Sequence, residues 1–166
     1  MKVLKRVLIG IPVALIALLI VFRITGLDPG ERVPGLWLSG PTATEVPADW
    51  SFVNDPKAYA TVKVQTRTWY LIPHSVTTTV FSHGGQLYLT SSYRPGMVFP
   101  RDRAWNRNFM RDPHVRIKIG GKIYDRVLTV VTDPNEKAEI LKSKQAKYPE
   151  AKMDIPNVHL FRATDG

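Results

Sequence analysis

Two glycine pairs divide the second half of this chain into ribbons. Gly84-Gly85 lies between Ser75–Phe81 (SVTTTVF) and Leu87–Thr90 (LYLT), and Gly120-Gly121 lies between Val115–Ile119 (VRIKI) and Lys122–Val131 (KIYDRVLTVV). The flanking runs alternate, or are rich in β-branched and aromatic residues, as strands with one buried face do. A tight turn between such runs needs residues that reach positive φ, and glycine does so without a Cβ clash. The pattern predicts two antiparallel hairpins. Ala58–Arg67 (AYATVKVQTR) and Val158–Ala163 (VHLFRA) read as further strands.

Helical signals are fewer. Asp133-Pro134-Asn135-Glu136 supplies a cap, a proline at the first helical position and a glutamate at the third. The helix it opens runs to about Tyr148, with Ala138, Leu141 and Gln145 along one face and Pro149 as a stop. Trp105 and Phe109, four apart, predict a short helix over Arg103–Arg111. Short strands, two hairpins and one or two helices point to a mainly β (α+β) domain, a small barrel with helical additions.

The first 27 residues differ from the rest. Val7–Phe22 is apolar on every face and follows Lys2, Lys5 and Arg6. With Arg23 snorkelling and Ile24–Leu27 added, the segment reaches about 20 residues, the length of a membrane crossing. No small-residue cleavage site closes the run. The expectation is an uncleaved signal anchor, a single transmembrane helix with its N-terminus cytoplasmic and the domain periplasmic. Arg23 opposes this orientation weakly. Residues 28–49, dense in Pro and Gly, read as an extended linker leaving the membrane, and residues 50–166 as the domain.

The chain has 166 residues, 23 Lys and Arg against 14 Asp and Glu, and no cysteine. That composition excludes a disulfide framework, a thiolate metal site and a cysteine nucleophile. The basic excess is local. Nine cations but only Asp102, Asp112 and Asp125 fall between Arg94 and Arg126, which suggests a particular anionic partner. Thr90-Ser91-Ser92-Tyr93-Arg94 supplies hydroxyls and a guanidinium just past a strand end, with Arg101, Arg103 and Arg107 following. Phosphate sites are built from such donors. A polar loop with solvated arginines has the same composition.

His74, His83, His114 and His159 are scattered without metal-ligand spacing, so no metal site is expected. His74 precedes a strand and can face a ligand. No nucleophile elbow, Walker loop or dinucleotide fingerprint is present, so a reaction here would be carried by a bound cofactor. Nucleic acid is an improbable partner for a domain beyond a membrane. Anionic lipid headgroups near the anchor stay open as a target of the basic stretch.

From Trp50 to Pro149 the order of motifs resembles the split-barrel flavin-binding superfamily. The similarity is to its deazaflavin-dependent nitroreductase branch and, more distantly, to pyridoxamine phosphate oxidase. The residues that carry it are Gly84-Gly85, Thr90–Ser92, Ala104-Trp105 with Asn108-Phe109, Asp112-Pro113-His114-Val115, Gly120-Gly121, Asp133-Pro134 and Tyr148-Pro149. The resemblance implies a six-stranded split β-barrel, often dimeric, holding FMN or a deazaflavin coenzyme in a groove. His74, Thr77 and Thr79 would hold the phosphate end from one strand, and Thr90, Ser91, Ser92 and Arg94 from the following loop. Trp105 and Arg107 would close the site. The implied chemistry is oxidoreduction of the nitroreductase or quinone reductase type. The chain departs from the deazaflavin pattern at Thr66–Pro73, which lacks the Gly-Arg-Lys-Ser-Gly-type loop, and at His74, where the oxidases carry arginine. The coenzyme's identity therefore stays open. The alternative is a cofactor-free barrel serving as an accessory subunit or interaction module of a membrane complex.

Overall fold

The computed structural model describes the backbone from Lys2 to Gly166 and the side chains from Gly10 onward. Three α-helices and six strands appear in the order α1 (Lys2–Thr25), β1 (Thr61–Thr66), β2 (His74–His83), β3 (Gln86–Ser92), α2 (Ala104–Arg111), β4 (His114–Ile119), β5 (Lys122–Val130), α3 (Pro134–Lys147) and β6 (Val158–Thr164). Short 3-10 turns occupy Ser51–Asn54 and Ile155–Asn157. The strands close into an antiparallel barrel in the order β1-β2-β3-β6-β5-β4. Both glycine pairs turn hairpins, with φ of 56° and 77° at Gly84 and Gly85 and of 56° and 82° at Gly120 and Gly121. Positive φ at both central residues matches the twist of the flanking strands.

Alternation decides which side chains fill the barrel. Val62, Val64, Val80, Leu87, Leu89, Ile117 and Phe161 point inward, and Trp105 and Phe109 of α2 pack into the same core. The outer face of β2, β3 and β6 carries Phe81, Tyr88, Val158 and Leu160, which α3 covers with Ile140 and Leu141.

The buried face of α3 differs from the expected one. It presents Ile140, Leu141, Lys144 and Lys147, while Ala138 is exposed and Gln145 half-buried. Two lysines can replace apolar residues there because their stems pack and their ammonium groups find acceptors. Lys147 Nζ donates to the carbonyls of Val53, Tyr59 and Val80 at 2.5, 2.6 and 2.7 Å. The Tyr148 hydroxyl lies 2.7 Å from both Ala60 O and Val80 O, which share its single proton.

The Pro/Gly-rich segment 28–49 is extended, as expected, and it lies against the barrel. Asp28 accepts from Lys63 and Lys118 at 2.9 and 2.6 Å and from the Ser39 N–H at 2.8 Å. Burial alone would raise the Asp28 pKa; these donors outweigh it and hold the carboxyl well below the usual carboxylate range. Gly35 exchanges two backbone hydrogen bonds with Ser75 of β2. A Cβ on Gly35 would meet Leu27 O at 2.2 Å, so glycine is what lets Gly35 pack against the backbone of residues 27–29.

The apolar N-terminal run forms α1, with Pro12 inside it. Among the described residues, no helix is long and apolar enough to cross a membrane. The first part of the expected anchor, through Ile9, lies outside the residues whose side chains are described.

Candidate functional site

The barrel is parted along one seam. β2 and β3 are laddered only from Val80↔Leu89 to His83↔Gln86. Beyond Val80, β2 continues with β1 as far as His74, paired to Thr66. Beyond Leu89, β3 continues with β6 as far as Ser92, paired to Val158. The two strands diverge like the arms of a V. At the apex the Thr79 and Thr90 hydroxyls meet at 2.7 Å, and Thr78 Oγ1 donates to Thr90 O at 2.7 Å.

A cavity of about 890 Å³ fills the V. One wall is β2 from His74 to Thr79, and the opposite wall is Thr90, Ser91 and Ser92. Arg103, Ala104 and Trp105 form the end at the start of α2, and Gly30–Pro34 forms the other rim. Thr77 Oγ1 ties that rim down by donating to Gly30 O at 2.8 Å. A groove of this size admits a drug-sized ligand or coenzyme ring.

Three features of the groove suit an anion. The Ser91 hydroxyl is buried, in a residue only 3 % exposed, and has no hydrogen-bond partner among the described residues. Arg103 lies 5.3 Å over the Tyr93 ring and donates to Ser92 O, yet its Nε is buried and unpartnered among the described residues. The first turn of α2 has no side-chain cap, so its free N–H groups add positive potential at the groove. Ser91 and Arg103 both line the cavity, and their unsatisfied buried donors can meet an acceptor there once the side chains turn toward it. His74 is kept toward its neutral form by burial and then by the nearby Arg107 guanidinium. Glu31 and Arg32 stand at the rim.

Of the nine residues expected from sequence, the structure brings seven to this groove: His74, Thr77, Thr79, Thr90, Ser91, Ser92 and Trp105. Arg94 and Arg107 do not line it. Arg94 is exposed. Arg107 is also exposed and donates to Arg101 O, acting on His74 through its charge. The guanidinium that does reach the groove is Arg103, which its neighbours in the cationic stretch gave no means to single out. Behind the apex, Lys144 Nζ donates to Thr90 Oγ1 at 2.8 Å. Burial lowers the pKa of this ammonium to about 8. Nothing in the helical pattern of α3 marks Lys144, because lysine is ordinarily a solvated residue and the pattern does not separate it from the exposed Lys142.

No family model matches the chain, and no curated protein matches it. Solved structures do. A conserved hypothetical protein from Mycobacterium tuberculosis superposes over 75 % of this chain and 84 % of its own, with 14 % identity and a TM-score of 0.52. A NimC/NimA family protein from Clostridium acetobutylicum covers 68 % and 79 %, at 14 % identity and a TM-score of 0.49. An F420-H2 dependent reductase covers 63 % and 93 %, at 17 % identity and 0.46. Only the first of these is close enough to bear on the fold. With its closed ring of six antiparallel strands parted between β2 and β3, this chain has the split-barrel fold.

Proposed function

We propose that this protein is a membrane-anchored oxidoreductase that holds the phosphate-bearing end of a flavin or deazaflavin coenzyme in the groove between β2 and β3. The observation that carries this reading is the gathering of donor-bearing residues around the groove. They are Ser91 on one wall, Arg103 at the end and the uncapped first turn of α2, and Ser91 Oγ and Arg103 Nε have no partner among the described residues. Phosphate oxygens are strong acceptors and match donors of that kind. Ser92 adds a hydroxyl along the wall, Thr77 and Thr79 brace the opposite wall through their own hydrogen bonds, and Trp105 gives an apolar floor at the end where α2 starts. The divergence of the strands leaves room for a ring system above that floor. When bound, such a ring supplies the hydride or electron transfer. The chain's own residues bind, orient and shield it.

The anchor reading is supported by the surface of α1. Ile11, Val13, Leu15, Ile16, Ile20 and Ile24 all expose their side chains, Ile24 by 80 %. A contiguous apolar surface of this extent is costly in water and marks an interface. The cations at Lys2, Lys5 and Arg6 favour a cytoplasmic N-terminus, with the barrel on the far side.

The test is direct binding. Purified chain in detergent is titrated into FMN and, separately, into a deazaflavin coenzyme while ring fluorescence is followed. Saturable quenching of either one, weakened by Arg103→Met, is the expected result. If neither ring is quenched and the protein is colourless as purified, the coenzyme reading falls and the barrel is an accessory module.

A further inference from the structure

The loop joining β1 to β2 ends in an apolar tip with no protein cover. Trp69 is 78 % exposed, Tyr70 52 % and Leu71 90 %. The Trp69 and Tyr70 rings pack edge-on against each other, with centroids 5.3 Å apart. Single exposed apolar residues are ordinary, but three consecutive large ones at a loop tip are not. The backbone is shaped to present them. Leu71 has φ of 68°, a left-handed conformation that is rare and strained for a bulky residue. The surroundings enforce it. Thr68 Oγ1 donates to Ile72 O across the base of the loop, and Arg111 donates to Arg67 O at 2.6 Å. This is a braced projection.

The tip's neighbours say what it meets. Trp37 shares a cavity of about 410 Å³ with Trp69, Leu71, Arg67 and Arg111. Trp37 O accepts from the Leu27 N–H at 2.7 Å, and Leu36 N donates back to Leu27 O at 2.8 Å. Leu27 lies two residues beyond the end of α1. The exit of the apolar helix is thus fastened beside the tip. The exposed Arg67, which pairs with Asp112 at 3.3 Å, and the exposed Arg111 line the same cavity as Trp69 and Leu71, and Arg23 lies in the last turn of α1. An exposed apolar and aromatic tip with an excess of arginine beside it matches the acyl boundary and the anionic headgroups of a bilayer.

We infer that Trp69, Tyr70 and Leu71 form a second membrane contact, a wedge that enters the interface of an anionic bilayer beside α1 and fixes the barrel's orientation on it. The inference rests on the anchor reading of α1 for the presence of that bilayer. A barrel held at two points cannot swivel freely about residues 26–27, and one face of it is kept against the lipid.

The full chain is reconstituted into phosphatidylcholine vesicles with and without phosphatidylglycerol, and tryptophan emission is quenched with bromine-labelled lipid. Trp50 and Trp105 are buried and Trp37 is half-buried, so the difference between wild type and Trp69→Phe reports the tip. The expected result is strong quenching in wild type, greater with phosphatidylglycerol, most of which is lost in Trp69→Phe. If the chain incorporates but the Trp69 signal answers only to aqueous iodide, the wedge is overturned while the anchor stands. If neither quencher reaches Trp69 and the chain cross-links as dimers, a second copy covers the tip and the wedge is equally overturned. If the chain does not incorporate into vesicles at all, anchor and wedge fall together.

Discussion

Thr79 and Thr90 face each other across the point where β2 and β3 part, their hydroxyls 2.7 Å apart, and neither belongs to the ladder between those strands. Thr79 is laddered to Thr61 and Thr90 to Leu160. The side-chain contact closes the barrel where the backbone has let go. Lys144, donating to Thr90 Oγ1 at 2.8 Å, holds the same point from outside.

Replacing Thr90 by valine keeps the shape and removes the acceptor. Lys144 then has a buried ammonium with no partner. We expect Thr90→Val to destabilise the protein by at least about 1–3 kcal/mol, the cost of orphaning a buried donor, which is larger when the donor is charged. The double variant Thr90→Val/Lys144→Met should recover part of that loss, since it removes both ends of the pair. Urea melts of the two single variants and the double one give the coupling. Additive losses would mean that the two side chains do not interact.

Burial brings the Lys144 pKa down to about 8. In the unfolded chain a lysine titrates near about 10.4. Between those values the unfolded state binds the extra proton, so stability rises with pH. Burial also lowers Lys147 to about 8. Its three carbonyl acceptors favour the ammonium, however, so Lys144 should carry more of the rise. The rise ends where Tyr148 enters. Burial raises its hydroxyl to about 12, while the unfolded phenol ionises near about 10. Above that pH the unfolded state sheds a proton the native state keeps, and stability falls. Denaturation midpoints measured every half unit should therefore climb from pH 8, peak near pH 10 and drop. Lys144→Met should flatten the climb and leave the drop.

The strands were legible because alternation and turn chemistry are local. The two Gly-Gly turns and the runs around them mark β2 through β5 within a few residues. β2 extends to His74 and His83, beyond the expected Ser75–Phe81, because its ends carry polar residues that contact the groove rim and α3. The groove's walls were readable from the Thr and Ser runs. Its end was not, since Arg94, Arg103 and Arg107 look alike in sequence and only the start of α2 selects Arg103. The inward lysines of α3 were hidden for a related reason: a 3.6-residue pattern scores lysine as solvated, and Lys147 is buried only because three strand and loop carbonyls converge on it. The docking of residues 28–49 joins partners far apart in sequence, among them one aspartate and two lysines 35 and 90 positions away. No local signal encodes that meeting.

Asp28 fastens that strap, so Asp28→Asn should loosen it. Two lysines lose their carboxylate, and about 1.5–3 kcal/mol is a fair expectation for hydrogen bonds to a charged group. Because the folded pKa is depressed, the Asp28 contribution is complete above the unfolded carboxylate value of about 3.9. It is lost as pH falls through the lower folded value. Limited proteolysis should show cleavage within residues 28–49 appearing in Asp28→Asn at neutral pH, and in wild type only under strong acid. Equal resistance of the two proteins at pH 7 would show that other contacts hold the strap.

Arg103 and Arg94 provide the sharpest discrimination within the groove. Arg103 lines it with an Nε that has no partner among the described residues, and Arg94 is exposed and does not line it. Loss of a charged hydrogen bond to a phosphate is expected to cost about 1.5–3 kcal/mol, which is roughly a 10- to 150-fold weaker affinity. Arg103→Met should show that loss for a phosphate-bearing coenzyme, and Arg94→Met should bind as wild type does. Ser91→Ala should be intermediate, since a neutral hydroxyl donates a weaker bond than a guanidinium. The ring-fluorescence titration is run on all three variants, with near-ultraviolet circular dichroism to confirm an unchanged core. The reverse ranking, with Arg94 dominant, would place the anion outside the V, on the exposed loop after β3.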